Sequence, residues 1–527
     1  MLELVKKNIH LNRWKGNVTT QLTLDDDFIV PDTMDDVDQV ILDTGDIVIE
    51  SSKNQGEKVV VKGKLDFHVL YRKAEGGLQT LAGSIPFEET INVPELEERD
   101  YTQLAWDLDD LNAGMINSRK LSIKAIVTLE VRVETLYDVE GAIEVESEPG
   151  AMPGDETQVE SLKCNVDVAM ISVRRKDTYR IKEVIQLSGN KPNIDNILWS
   201  EMRLRGVNSR PLDGKVRVDG ELMVFLIYSS DGENTPVQWI EESLPFSGEL
   251  DLPDAIEEMI PSITVRLMHK ELEAKPDYDG EMREIEVDAV LELDMKLYEE
   301  EQIELLSDLY STNRELKLTT GEACFDQILT KNTGKCKISD KVTINHADRI
   351  LQICHSEGTI KLDEVSVMED GLNIEGVLEL QLLFLTADDN EPVRSSTEVV
   401  PFHYLAEAKG INENSVYQLN PGLEQLTAVM MGGDTVEVKA VIALDLLVLQ
   451  PVCEQVLVNV TEEPMDLQKL QQMPGIVGYI VQPGDDLWKV AKKFHTTVDN
   501  IMMTNGLADK AVKPGERLIL VKEIARG

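Results

Sequence analysis

GKLDFHVLY at residues 63–71, GELMVFLIY at 220–228 and GVLELQLLF at 376–384 are three versions of one stretch. Each begins with glycine, ends on an aromatic residue, and places large apolar side chains at its third, fifth and seventh positions. Such period-2 alternation is the signature of a β-strand, because successive side chains point to opposite faces of a sheet. In the first copy it sends Leu65, Phe67, Val69 and Tyr71 to one face. In the later copies the opposite face is also largely apolar, with Met223, Phe225, Ile227, Val377 and Leu383. Those strands are expected to be covered on both faces.

Flanking landmarks keep step with the strand. A Pro-Phe pair follows it at Pro86-Phe87, Pro245-Phe246 and Pro401-Phe402. A second strand recurs as IKAIVTLEV from Ile123, VDAVLELDM from Val287 and VKAVIALDL from Val438. Ahead of each first strand stands MDDV, IDNI or ADRI, with Asp35, Asp195 and Asp348. Landmarks in one order, three times over, define an internal repeat of about 155 residues. That length is too great for a solenoid unit and suits an independent domain. SSDGEN and TADDNEP are turn signals after the first strand of the later copies, and the acidic segments PELEERDY and YEEEQIE read as loops or short helical turns. The fold expected is mainly β: three repeated sandwich or barrel-like domains, because such sheets must cover their apolar faces and manage their edges. The division expected is 1–155, 156–322 and 323–465 for the repeats, a linker at 466–476, and a small module at 477–523.

Bulk composition agrees with several folded domains: 527 residues, 42% hydrophobic and 28% charged, exceed a single core. Only 5% are aromatic, so the cores must rest on Leu, Ile and Val. The 97 acidic residues against 52 basic ones, a net charge of -45, oppose binding to nucleic acid or to an anionic membrane surface. The opening MLELVKKNIHLNRWKGN has no apolar core of a signal peptide. The most apolar run, AVIALDLLVL at 440–449, is short and interrupted by Asp445, so no membrane insertion is expected. The five cysteines, Cys164, Cys324, Cys336, Cys354 and Cys453, are scattered without a CxxC pair. Their spacing indicates neither a disulfide framework nor a zinc site, and points to a reducing, cytoplasmic compartment.

A search for chemistry in the repeats is negative. The histidines form no HExxH and do not recur at matching repeat positions; His346 and His355, near Cys354, read as structural. DDDFIVPDTMDDVD lacks the central glycine and terminal glutamate of a calcium loop. The recurrent Asp35, Asp195 and Asp348 read as helix or turn caps. No GxSxG, P-loop or glycine-rich nucleotide fingerprint occurs. A non-enzyme with no catalytic residue, metal or cofactor is expected.

The pattern changes at Gly478. Tyr479-Ile480-Val481 is a short strand, and Pro483-Gly484 a turn. Asp485 or Asp486 can cap a helix whose buried stripe is Leu487, Val490, Ala491 and Phe494. Thr497 can cap a second helix with Val498, Ile501 and Met502, which Gly506 can stop. Pro514-Gly515 then turns into the strand Leu518-Ile519-Leu520, giving a βααβ order. Over 479 to about 521 the chain resembles a LysM domain, through YxVxxGDxL, Val490-Ala491, Asn505 and PGxxLxL. The resemblance implies a groove for N-acetylglucosamine-containing glycans between the loops at 484–487 and 505–507. Its residues would be Gly484, Asp485, Asp486, Leu487, Asn505, Gly506 and Leu507, with Trp488 either an anchor for a partner or packed against the preceding repeat. Asp486 stands where the family usually has Thr or Ser.

Acidic β repeats followed by one LysM also resemble the SipL family of clostridial spore-coat morphogenetic proteins, whose repeats are SPOCS domains. That resemblance implies a non-enzymatic scaffold in the mother-cell cytosol, acting at the forespore surface and spore coat. Its LysM would bind the coat's morphogenetic ATPase; the alternative is a protein that binds peptidoglycan or a chitin-like glycan. Residues 475–522 carry seven basic and five acidic side chains, a net of +2 that leaves -47 for the rest. A slightly basic module on an acidic body suits an acidic partner.

Overall fold

The computed structural model describes residues 2–147, 158–230, 237–344, 350–387, 393–464 and 474–522. The first repeat comprises β1 (Leu2–Ile29), β2 (Val37–Asn54), β3 (Lys58–Lys73), β4 (Leu78–Asn92), β5 (Tyr101–Asn117) and β6 (Lys120–Ser147). They form two antiparallel sheets, β2-β3-β4 and β1-β6-β5. The second repeat has β7 (Val159–Gln186), β8 (Ile194–Leu212), β9 (Lys215–Ser230), β10 (Gln238–Asp251), β11 (Ile260–Pro276) and β12 (Met282–Ser311). The third has β13 (Glu315–Thr343), β14 (Ile350–Met368), β15 (Gly371–Thr386), β16 (Val393–Glu407), β17 (Val416–Gly432) and β18 (Thr435–Glu463). Both repeat the first topology, with sheets β8-β9-β10 and β7-β12-β11, then β14-β15-β16 and β13-β18-β17.

The two recurrent sequence strands are the central strands of the two sheets. β3, β9 and β15 carry the first; β6, β12 and β18 carry the second. Their alternate side chains face each other across each sandwich and make its core. Leu65, Leu222 and Leu378 occupy matching positions and are fully buried. Each lies between apolar neighbours on both flanking strands: Ile47 and Ile85, Leu204 and Leu244, Ile360 and Val400.

The recurrent glycine and Pro-Phe pair are one device. Gly63, Gly220 and Gly376 lie directly opposite Phe87, Phe246 and Phe402. The phenyl ring lies over the bare glycine, so that a Cβ on Gly220 would come within 2.8 Å of the Phe246 ring.

The even positions of the same strands pack the repeats against one another, which explains their apolar character. Leu70, Ile227 and Leu383 meet in one buried cluster with Ile41, Leu42, Trp199, Phe225 and Cys354. The contacts run head to tail and close a triangle. Thr80 of β4 donates to the Leu198 carbonyl of β8, Glu241 of β10 contacts His355 of β14, and Ser395 of β16 donates to the Ile41 carbonyl of β2. Buried charges reinforce the seams: Glu134 of the first repeat binds Lys296 and Arg174 of the second.

Beyond the sandwiches, the outer strands continue as three two-stranded ribbons, β1–β6, β7–β12 and β13–β18. These pack together through Ile9, Val139, Val166, Ile303, Phe325 and Val456 into a shared stalk.

Several sequence expectations change here. YEEEQIE is neither loop nor helix but part of β12, crossing from sandwich to stalk with Tyr298, Ile303 and Leu305 turned inward. The positions of β12 in step with Leu297 and Ile303 are Glu299 and Glu301, which hides the strand from a period-2 apolar reading. The register shift at Leu297/Tyr298 leaves its extra residue, Ser172, on β7. PELEERDY is loop up to Asp100, and β5 begins at Tyr101. The cysteines hold a surprise as well: Cys324 and Cys453 form a disulfide across β13 and β18. They lie 129 residues apart, so only strand pairing reveals them, and cysteine spacing loses its value as an argument for a reducing compartment. Asp35 pairs with Lys73, and Asp195 lies in β8 beside Ser229; neither caps a helix. Asp348, His346, most of ADRI, the tips of SSDGEN and TADDNEP, and the boundary expected near 155 lie outside the described residues. So does most of the expected linker. Residue 322 falls inside β13.

Candidate functional site: the C-terminal module and its seat on the body

The module contains β19 (Ile476–Ile480), α1 (Leu487–Phe494), α2 (Val498–Asn505) and β20 (Arg517–Val521). β19 and β20 pair antiparallel. Val481, Leu487, Val490, Ala491, Val498, Ile501, Leu518 and Leu520 fill its core.

Each helix starts where a side-chain oxygen takes up an orphan N–H. Asp486 caps α1 by accepting from Lys489 N at 2.7 Å, and Thr497 caps α2 by accepting from Asn500 N at 3.1 Å. α2 ends at Gly506, whose φ of 65° suits glycine.

The eight expected groove residues have distinct local roles. Leu487 is core, and Gly484 makes a turn at φ 89°. Asp485 accepts from the Tyr479 hydroxyl at 2.5 Å and from Gln482 N at 2.9 Å. These bonds, the tyrosine's first, hold its carboxyl below the ordinary value. Asn505 ties α2 to β20, donating to the Ile519 carbonyl and accepting from Ile519 N. Leu507 packs against the module core. Asp486, exposed, puts its carboxylate on the first turn of α1 and has Lys489 Nζ 3.2 Å away.

Trp488 points to the body, and to the second repeat rather than the third. Its indole N–H donates to Asp308 at 2.8 Å, and its ring meets Tyr310 edge-on at a centroid distance of 4.8 Å. Lys492 Nζ lies 2.5 Å from the other Asp308 oxygen. The Tyr310 hydroxyl donates to the Thr496 carbonyl at 2.9 Å, and Tyr310 itself is part of the module's core. Asp308 follows a register shift in β12, a bulge that re-aims side chains at the stalk's end. Sequence reasoning missed Asp308 and Tyr310. The only trace was an aromatic residue ending a strand.

In the repeats, a buried charge cluster lies in the seam between the second and third sandwiches rather than in a cleft. His355 stacks on Phe225 at 4.0 Å, with Glu241 at 2.9 Å from Nδ1 and Glu201 at 3.7 Å from Nε2. Burial opposes the imidazolium, yet the two carboxylates outweigh it and its pKa is pushed up to about 9. Arg203 and Arg205 pair with the acids Glu201 and Glu357 beside it.

Fold and site together define a modular protein: an interlocked trio of six-stranded β-sandwiches bearing a small βααβ module on its stalk. The family model "SipL, SPOCS domain" matches at 36–116, 193–275 and 349–431, and the LysM domain model at 479–521. The chain therefore carries three SPOCS domains and a C-terminal LysM domain. The SPOCS matches span β2–β5, β8–β11 and β14–β17, leaving out both strands of each stalk ribbon. No curated protein and no solved structure matches the chain. SPOCS and LysM are binding-type, non-catalytic domains, and they fit a spore-coat protein with a glycan-binding domain. No helix among the described residues is long and apolar enough to cross a membrane.

Proposed function

We propose that this chain is a non-enzymatic adaptor in spore-coat assembly, whose LysM module binds the coat's morphogenetic ATPase at the forespore surface in the mother cell. The observation that carries the reading is the combination itself: three SPOCS repeats of the SipL family joined to one LysM. The charge division supports it, since a module of net +2 on a body of -47 can meet an acidic protein surface. The groove-lining surface proposed is Gly484, Asp485, Asp486, Asn505, Gly506 and Leu507, with Leu487 beneath it in the module core. Trp488, engaged by Asp308 and Tyr310, serves to seat the module.

A second reading is favoured by the LysM match: binding of peptidoglycan or chitin-like oligomers at the same loops. Titrating the full chain with the coat ATPase and with N-acetylglucosamine oligomers separates the two. Tight ATPase binding with weak glycan binding supports the adaptor. Micromolar glycan binding without ATPase binding would hand the case to wall recognition. Asp486→Thr keeps a capping oxygen and restores a hydroxyl, so it should raise glycan affinity without unfolding α1.

A further inference from the structure

Antiparallel strands that cover a core on one face normally turn polar side chains to water on the other. β19 and β20 do not. Their inner face supplies Leu518 and Leu520 to the core, while the outer face carries Ile476, Ile480 and Ile519, exposed by 68%, 53% and 53%. Single exposed isoleucines need no explanation, but three on one face of a sheet with strands of five residues make a patch. The body does not cover it, because the module is seated through Trp488 and Lys492 of α1.

Charge at this face has one sign. Neither strand contains an acid, and Arg517 lies opposite Ile480 on the same face. Nearby acids are turned to the backbone: Glu516 accepts from Lys513 N and Asp509 from Ala511 N.

We propose that the outer face of β19–β20 is a protein-docking surface for an acidic segment of a partner, one whose apolar side chains cover the isoleucines while its carboxylates meet Arg517. The surface deepens the adaptor reading and rests on it for the partner being a protein. A large apolar contact with a charged rim is the common anatomy of such interfaces, and the seat on Asp308 and Tyr310 holds this face away from the stalk.

The test uses the full chain with labelled isoleucine methyls and a synthetic peptide of alternating valine and glutamate. The peptide should shift the Ile476, Ile480 and Ile519 signals, and 0.5 M salt should weaken it several-fold. Arg517→Glu and Ile519→Ser should each lower its affinity at least tenfold, with other methyl signals unmoved. Equal binding of a valine–lysine peptide, or shifts that spare these isoleucines, would overturn the proposal. So would isoleucine shifts that appear with protein concentration alone, marking a second copy as the occupant, or with chitotetraose, marking a glycan. Titration with the coat ATPase keeps the two readings apart. Binding indifferent to Ile519→Ser sinks the surface and leaves the adaptor standing. No ATPase binding, with the peptide response intact, does the reverse.

Discussion

The indole of Trp488 and the carboxylate of Asp308 lie 180 residues apart in the chain and 2.8 Å apart in the fold. This bond, with Lys492 on the second oxygen and Tyr310 beneath the ring, turns a tethered module into a seated one. The residue that sequence alone offers as a partner's anchor is engaged within the chain.

Replacing Asp308 with Ala should loosen that seat while leaving the repeats folded. A half-buried carboxylate that accepts from two donors is worth on the order of 1–3 kcal/mol locally. Hydrogen exchange should rise across residues 487–496, and tryptophan emission should shift to the red. Unchanged exchange there would mean that the Tyr310 contacts suffice.

The glycine–phenylalanine pairs respond to an added methyl in different ways. At Gly220 the nearest obstacle is the Phe246 ring at 2.8 Å, whereas at Gly376 it is the Lys361 carbonyl at 2.4 Å. Gly376→Ala should therefore destabilise more, against overpacking costs of about 1–3 kcal/mol. Phe246→Leu should relieve part of the Gly220→Ala penalty, and Phe402→Leu should relieve little of the Gly376→Ala penalty. Denaturant melts of both double-mutant cycles read this directly.

Leu222→Asp places a carboxylate in a core where residue 222 is fully buried, between Leu204 and Leu244. The second repeat should lose about 4 kcal/mol or more. Near-native unfolding midpoints would contradict the sandwich packing described.

His355 predicts a pH dependence at the seam between the second and third repeats. Glu201 and Arg203 of β8, Phe225 of β9, Glu241 of β10 and Glu357 of its own strand face it. Its pKa in the fold, about 9, lies above the ordinary 6.5, so its contribution is complete below about pH 6.5. It is lost as the pH rises through 9. Thermal melts should fall over that window by an amount on the order of 1–3 kcal/mol. His355→Gln should be flatter there; an identical slope in both proteins would remove His355 from the account.

What the sequence determined by itself is whatever depends on neighbours in the chain. Alternation places Leu65, Leu222 and Leu378 inward because a strand's side chains have a period of two. Asp486 and Thr497 start helices because a cap needs an oxygen next to the first turn. The apolar even positions even signalled that β9 and β15 are covered twice. What covers them was decided only in three dimensions. Leu70, Ile227 and Leu383 meet because three similar sandwiches close head to tail, and no local pattern encodes which surface a neighbouring repeat will present. Cys324 meets Cys453 only through the register of β13 on β18, and Trp488 meets Asp308 only because a bulge near the end of β12 turns a carboxylate toward the module. Contacts of this kind depend on a register accumulated over long strands. A single bulge shifts every later residue by one place and exchanges the faces.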